Sequence, residues 1–169
     1  PLALKATLHE QIALYIETSY GSDVERYLDL LAYHYDQTEN DGKRRYYLYR
    51  AGQAAQEIYA NEAAIDYYRR LLPLLEGSER TPVLMRLGQV LELVGQWDEA
   101  AACYERALTA AQSNGKVEGR TQAQIAIGEI QRKRGQFVLA ASWFDQAYSA
   151  AQAGGDQPGM AKALICSGT

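Results

Sequence analysis

Leu84-Met85-Arg86-Leu87-Gly88 leads, through Gly95-Gln96-Trp97-Asp98-Glu99-Ala100, to Tyr104-Glu105-Arg106-Ala107. Leu84, Leu87, Gly88 and Leu91 lie at i, i+3, i+4 and i+7, one face of an α-helix. Ala100, Ala101, Tyr104, Ala107 and Leu108 repeat that spacing beyond the turn. Working outward, the same design recurs. Gly52, Gly88 and Gly128 are each followed twelve positions later by Ala64, Ala100 and Ala140, and four further on by Tyr68, Tyr104 and Phe144. A fourth glycine, Gly168, extends the series, with separations of 36, 40 and 40 residues. Self-similarity at this period marks stacked helix pairs. The fold class expected is all-α, a right-handed solenoid of about nine helices with the last truncated, and these ten residues are its expected repeat-packing positions.

The motif resembles the tetratricopeptide repeat (TPR): a small residue in helix A, an alanine early in helix B, then an aromatic and a second small residue. The resemblance covers residues 45–169. It departs from the family where Leu71 replaces the second small residue of the first repeat, and where two 40-residue spacings exceed the usual period of about 34. Repeats are expected at about 45–78, 81–115 and 121–155, with a partial one at 158–169. Residues 1–42 read as a helix pair outside the TPR offsets, a junction or cap before a TPR-like array over 43–169.

Local punctuation places the helices. Gly21-Ser22-Asp23 separates a helix over about 3–19 from one over about 24–38. Asn40-Asp41-Gly42 precedes a third from Lys43 to Tyr59. Thr81-Pro82 reads as an N-cap with proline at the first helical position. Asn114-Gly115 and Gly154-Gly155 read as C-terminal stops.

Composition narrows the function classes. A net charge of −4 gives no overall basic footprint for nucleic acid. Cys103 and Cys166 lack metal-ligand spacing and read as reduced packing residues. No apolar run of 18 residues occurs, so a membrane span is not expected, and the chain is expected in the cytoplasm. There is no G-x-x-x-x-G-K-[ST] loop, and Asn114-Gly115-Lys116-Val117 lacks the second glycine. No catalytic constellation, cofactor motif or metal set is found, so no enzyme activity, cofactor or metal is expected. His34, between Tyr33 and Tyr35, reads as a helix-surface or inter-helix histidine bonded to a neighbour, and His9 as ordinary surface. Lys43, Arg44, Arg45 and Arg50 interleave with tyrosines, but Glu25, Asp29 and Asp36 stand ready to neutralise them.

In TPR arrays helix A lines the concave groove. The resemblance therefore points to Tyr46, Tyr49, Arg50, Gln53, Met85, Arg86, Gln89, Ile125, Glu129 and Arg132 as partner-binding residues. TPRs that grip a C-terminal carboxylate use lysine, arginine and asparagine on this face. Tyr49, Gln53, Met85 and Gln89 stand there instead, so that clamp is not expected. An amphipathic peptide or protein suits the groove better, including other domains of the same parent chain.

Leu8-His9-Glu10-Gln11-Ile12-Ala13 and Leu30-Leu31-Ala32-Tyr33-His34-Tyr35 resemble the junction where a bacterial STAND-type ATPase module passes into C-terminal TPRs. Such proteins often also carry a class III adenylate/guanylate cyclase domain. With a start at Pro1 and an end at Thr169, the chain reads as a piece of such a signalling protein, serving as its sensor or scaffold segment. The alternatives are a module that forms homo-oligomers and a TPR peptide receptor of another parent.

Overall fold

The computed structural model describes residues 2–113, 115 and 117–168. Nine α-helices are present among these residues: α1 (Leu2–Ser19), α2 (Leu28–Tyr35), α3 (Asp41–Glu57), α4 (Asn61–Leu71), α5 (Arg80–Leu93), α6 (Trp97–Ser113), α7 (Val117–Lys133), α8 (Phe137–Gly154) and α9 (Gln157–Ser167). No strand occurs among the described residues. The class is the all-α, helix-pair solenoid that the periodicity predicts. The chain divides into two compact units, residues 1–75 with α1–α4 and residues 76–169 with α5–α9.

Within each helix pair the glycine holds the aromatic itself. A Cβ on Gly88 would come under 3.0 Å from ring carbons of Tyr104, and one on Gly128 equally close to Phe144. In the first unit Gly52 stands in the same relation to Tyr68. The flat ring occupies the space where a Cβ would be, while Ala64, Ala100 and Ala140 are also buried.

What stands one turn after each glycine follows the aromatic. The Tyr68 hydroxyl donates to Gln56 at 2.8 Å, and the Tyr104 hydroxyl donates to Glu92 at 2.5 Å. Burial, reinforced by the Glu92 carboxylate, pushes the Tyr104 phenol far above its ordinary pKa. In the third repeat the ring is Phe144 and the corresponding residue is Arg132, a side chain that cannot accept. Hydroxyl and acceptor are present together or absent together.

A second glycine contact joins successive repeats of the second unit. A Cβ on Gly119 would meet the Thr81 methyl at 3.2 Å, and one on Gly159 the Thr121 methyl at 2.9 Å. This corrects the cap reading. Residues Gly77–Glu79 wind a 3-10 turn into α5, so Thr81 falls inside the helix, and its hydroxyl, like that of Thr121, has no hydrogen-bond partner among the described residues. Gln124 is also buried with its carbonyl oxygen unpartnered, at the position held by Leu48 and Leu84 in the other repeats.

Other boundaries shift for local reasons. The expected helix over 24–38 is a 3-10 segment, Gly21–Tyr27, with a non-helical Asp23, followed by the short α2. Asn40 caps α3, accepting from the Lys43 amide at 3.2 Å, so that helix starts at Asp41. Gly155 closes α8 in the left-handed conformation, with φ +70. Asn114 lies outside the described residues. Gly168 is a correction: it is the left-handed C-cap of α9, with φ +79 and open space at its Cβ position. Its 40-residue spacing matches the packing glycines, but its conformation is that of a helix stop.

Candidate binding surfaces

In the second unit, the facing sides of α5 and α7 form a cleft of about 280 Å³. Thr81, Pro82 and Met85 line one wall, and Glu118, Gly119 and Gln122 the other. The threonine–glycine contact sets the separation of the two helices at its floor. Of the expected groove residues, Met85 lines this cleft, Arg86 on α5 is half-buried and Gln89 is exposed. Glu129 and Arg132 on α7 pair with each other at 2.6 Å, one turn apart. The wall therefore offers a thioether and methylene surface bordered by charge, which suits an amphipathic segment.

Ile125 is a correction. It is 3% exposed and packs with Ala140, Phe144, Ala147 and Ala163, so it belongs to the core and is not part of the groove. At that point of α7 the apolar stripe is wider than the glycine register alone indicates.

The first unit holds Tyr46, Tyr49, Arg50 and Gln53 on α3. Tyr46 is 51% exposed, and its hydroxyl accepts from Arg50, whose guanidinium also pairs with Glu25. Tyr49 and Gln53 are half-buried. The basic residues beside the tyrosines are engaged within the unit: Arg44 contacts Asp36 and Asp41, and Lys43 contacts Glu17 at 2.6 Å. Asp29 accepts instead from Tyr67, whose phenol burial and that carboxylate raise to about 12. An aromatic-basic surface for an anionic polymer is thus largely neutralised from inside.

Sequence reasoning missed Glu17. Its carboxylate accepts from Tyr35 at 2.7 Å, from Tyr47 and from Lys43, tying α1 to α2 and α3. The Tyr35 and Tyr47 rings stack 5.2 Å apart with 4° between planes, and the Lys43 ammonium lies over both. Burial opposes the ionised carboxylate, yet these three donors together hold it below its ordinary pKa. The partners lie 18, 26 and 30 residues away, and no motif joins them. His34 does bond to a neighbour, and that neighbour is His9, with the two Nδ1 atoms 2.9 Å apart. His9 is accordingly half-buried rather than plain surface.

Among the described residues no group of three metal-ligating side chains occurs, and no helix is long and apolar enough to cross a membrane. Among the described residues neither Cys103 nor Cys166 forms a disulfide.

Residues 80–153 match the family model of the tetratricopeptide repeat. No curated protein matches the sequence. Among solved structures, the chain is similar to nearly identical TPR-like repeats assigned to a kinesin light chain of Podosopora anserina, with a TM-score of 0.66 and 15% identity over 99% of this chain and 89% of that one. A point variant of those repeats gives 0.67 and 14%, covering 99% and 88%. BtubC (BKLC) from P. vanneervenii gives 0.62 and 17%, covering 97% of this chain and 63% of that one. Identities this low speak to the fold.

Proposed function

We propose that this tetratricopeptide repeat chain is a non-catalytic polypeptide-binding segment, and that the α5–α7 cleft of its second unit receives the partner. TPR folds generally mediate protein–protein interaction, which supports the class. The observation that carries the location is the cleft itself: two A-type helices expose Pro82 and Met85 toward Glu118 and Gln122 while their aromatic-facing sides are sealed.

The larger context we assign is a bacterial signalling protein with a STAND-type ATPase module. The words at Leu8–Ala13 and Leu30–Tyr35 support it. In that setting the repeats are the sensor or scaffold, and a cytoplasmic site of action follows from the assignment. The competing reading, an oligomerisation module, is separated by light scattering on the purified chain.

The test of the cleft pairs Met85→Glu with Arg86→Ala. Together they should weaken capture of the native partner by about 2 kcal/mol or more, roughly thirtyfold, with the helical circular dichroism unchanged. Capture that survives undiminished rejects the location.

A further inference from the structure

Two ties that respond to acid fasten α1 within the first unit, and they sit in different halves of the helix. Glu17, near the C-terminal end, accepts from Tyr35, Tyr47 and Lys43. His9, in the N-terminal half, meets His34 of α2, Nδ1 to Nδ1 at 2.9 Å. Their ring centroids lie 5.0 Å apart, and the Tyr33 ring stands edge-on to both, 5.8 Å from His9 and 5.2 Å from His34. Apolar burial contributes little to this half of the helix. The buried apolar residues of α1, Ala13 and Ile16, come after His9, whereas Leu4 and Leu8 are 69% and 55% exposed. Glu10 adds one exposed hydrogen bond, from Asn40 at 3.0 Å.

The contact between the rings depends on proton count. With both imidazoles neutral, one Nδ1–H donates to the lone pair of the other Nδ1. A first proton, taken at Nε2 of the donor ring, leaves that bond in place. A second puts a hydrogen on both Nδ1 atoms, so the acceptor is gone and two cations face each other.

No carboxylate stands by to absorb that charge. Among the described residues neither histidine forms an ion pair. On α1, Lys5 lies one turn before His9 and adds positive charge, while Glu10 is turned to Asn40 and Glu17 to Lys43. On the 3-10 segment, Glu25 pairs with Arg50, and Asp23 and Arg26 make no bond to either ring. On α2, Asp29 accepts from Tyr67, and Asp36, just beyond the helix, is held by Arg44 and Arg70. On α3, Asp41 pairs with Arg44, and Arg45 donates to the Asp41 carbonyl.

We infer that the His9–His34 contact is a pH-operated clasp: in mild acid the N-terminal half of α1 comes away from α2, while Glu17 keeps the C-terminal half in place. Burial, reinforced by the charge of His9, holds the His34 imidazole below its ordinary 6.5. The unfolded chain therefore takes the second proton more readily than the folded one. The contribution of the contact is complete above 6.5 and is lost as pH falls from there through the folded-state value of His34. Glu17, held below 4.5 by its donors, responds later. Histidine pairs suit such switching because their charge changes near neutrality.

Hydrogen exchange of the full chain tests this, read by mass spectrometry between pH 7.5 and 5.0 with labelling times scaled to the intrinsic rates. Protection of peptides within residues 4–12 should fall by about threefold or more over that range, one pKa unit of displacement being worth tenfold. Peptides within residues 14–19 should keep theirs. His34→Asn, whose amide offers donor and acceptor without titrating, should remove the pH dependence of residues 4–12. In parallel, the imidazole Hε1 resonances should titrate in two steps, the lower belonging to His34, and His9→Asn should raise that lower step. Protection that is independent of pH in the native chain, a fall that spreads equally over residues 14–19, or a dependence that survives His34→Asn overturns the clasp. A lower step unmoved by His9→Asn overturns it as well.

Discussion

At the scale of single residues, one atom decides the pairing of the helices. The missing Cβ of Gly88 is replaced by the edge of the Tyr104 ring, and that ring is 1% exposed and anchored through its hydroxyl to Glu92. A glycine inside a helix costs roughly 1 kcal/mol relative to alanine, so its presence at three equivalent positions needs a compensating gain. The ring contact is that gain. Gly88→Leu should therefore overpack the pair and lower stability by about 1–3 kcal/mol, despite the better helix propensity of leucine. Urea denaturation followed by circular dichroism measures it, and an unchanged midpoint would separate the glycine register from packing. This register was legible because its offsets are short and repeat three times. The Thr81–Gly119 and Thr121–Gly159 contacts also repeat, 38 residues apart in each case, but they occur only twice. Gly168 shows the opposite error. Its spacing fits the packing series while its φ of +79 makes it a cap, and spacing alone carries no information about φ.

At the scale of elements, the turn between paired helices carries its own repeat. Seven residues after the packing glycine stand Tyr59, Gly95 and Gly135, and all three adopt positive φ, 59, 78 and 75. Glycine accepts this conformation freely, whereas a residue with a Cβ is penalised by roughly 1–2 kcal/mol. Tyr59 is 75% exposed, so its ring contributes little burial to offset that penalty. Tyr59→Gly should consequently stabilise the α3–α4 pair by about 1 kcal/mol, after allowing for the greater freedom of glycine in the unfolded chain. A thermal melt that moves downward would show that the exposed ring has contacts outweighing the backbone term. Periodicity located the elements well and their ends less well. The 3-10 segment Gly21–Tyr27 replaces an expected helical start because Asp23 leaves helical φ/ψ, a local choice that the apolar pattern does not record. Ile125 was misplaced for a related reason: a helix packed against both α8 and α9 buries more of its circumference than a two-helix pattern predicts.

At the scale of the whole molecule, the two units are stabilised by different chemistry. The second unit combines rings over glycines, methyls over glycines and an alanine-rich core with carboxylate contacts of its own, Glu92 with Tyr104 and Lys133 among them. The first unit adds the Glu17 carboxylate with its three donors. Those partners could not be read from the sequence, because a charge two helices away from its donors leaves no local signature. Its energetic mark is nonetheless definite. Donors hold the folded-state pKa of Glu17 below the ordinary value of 4.5, so the carboxylate contributes stability that is complete above that value. The contribution is lost as pH falls through the folded-state pKa. Glu17→Gln should cost about 2 kcal/mol at pH 7, the scale of hydrogen bonds to a charged acceptor. It should cost progressively less below pH 4.5, the two stability curves converging in acid. A fragment of residues 76–169 keeps two complete glycine–aromatic pairs and is expected to fold alone, since repeat stability accumulates between neighbours. Urea midpoints collected from pH 7 down to pH 3 for the full chain, the Glu17→Gln variant and this fragment distinguish the sources. The variant's deficit should shrink as pH falls below 4.5, and the fragment should lack the full chain's Glu17-dependent loss. A deficit that stays constant across the range would mean that Glu17 supports the first unit through shape alone, without its charge.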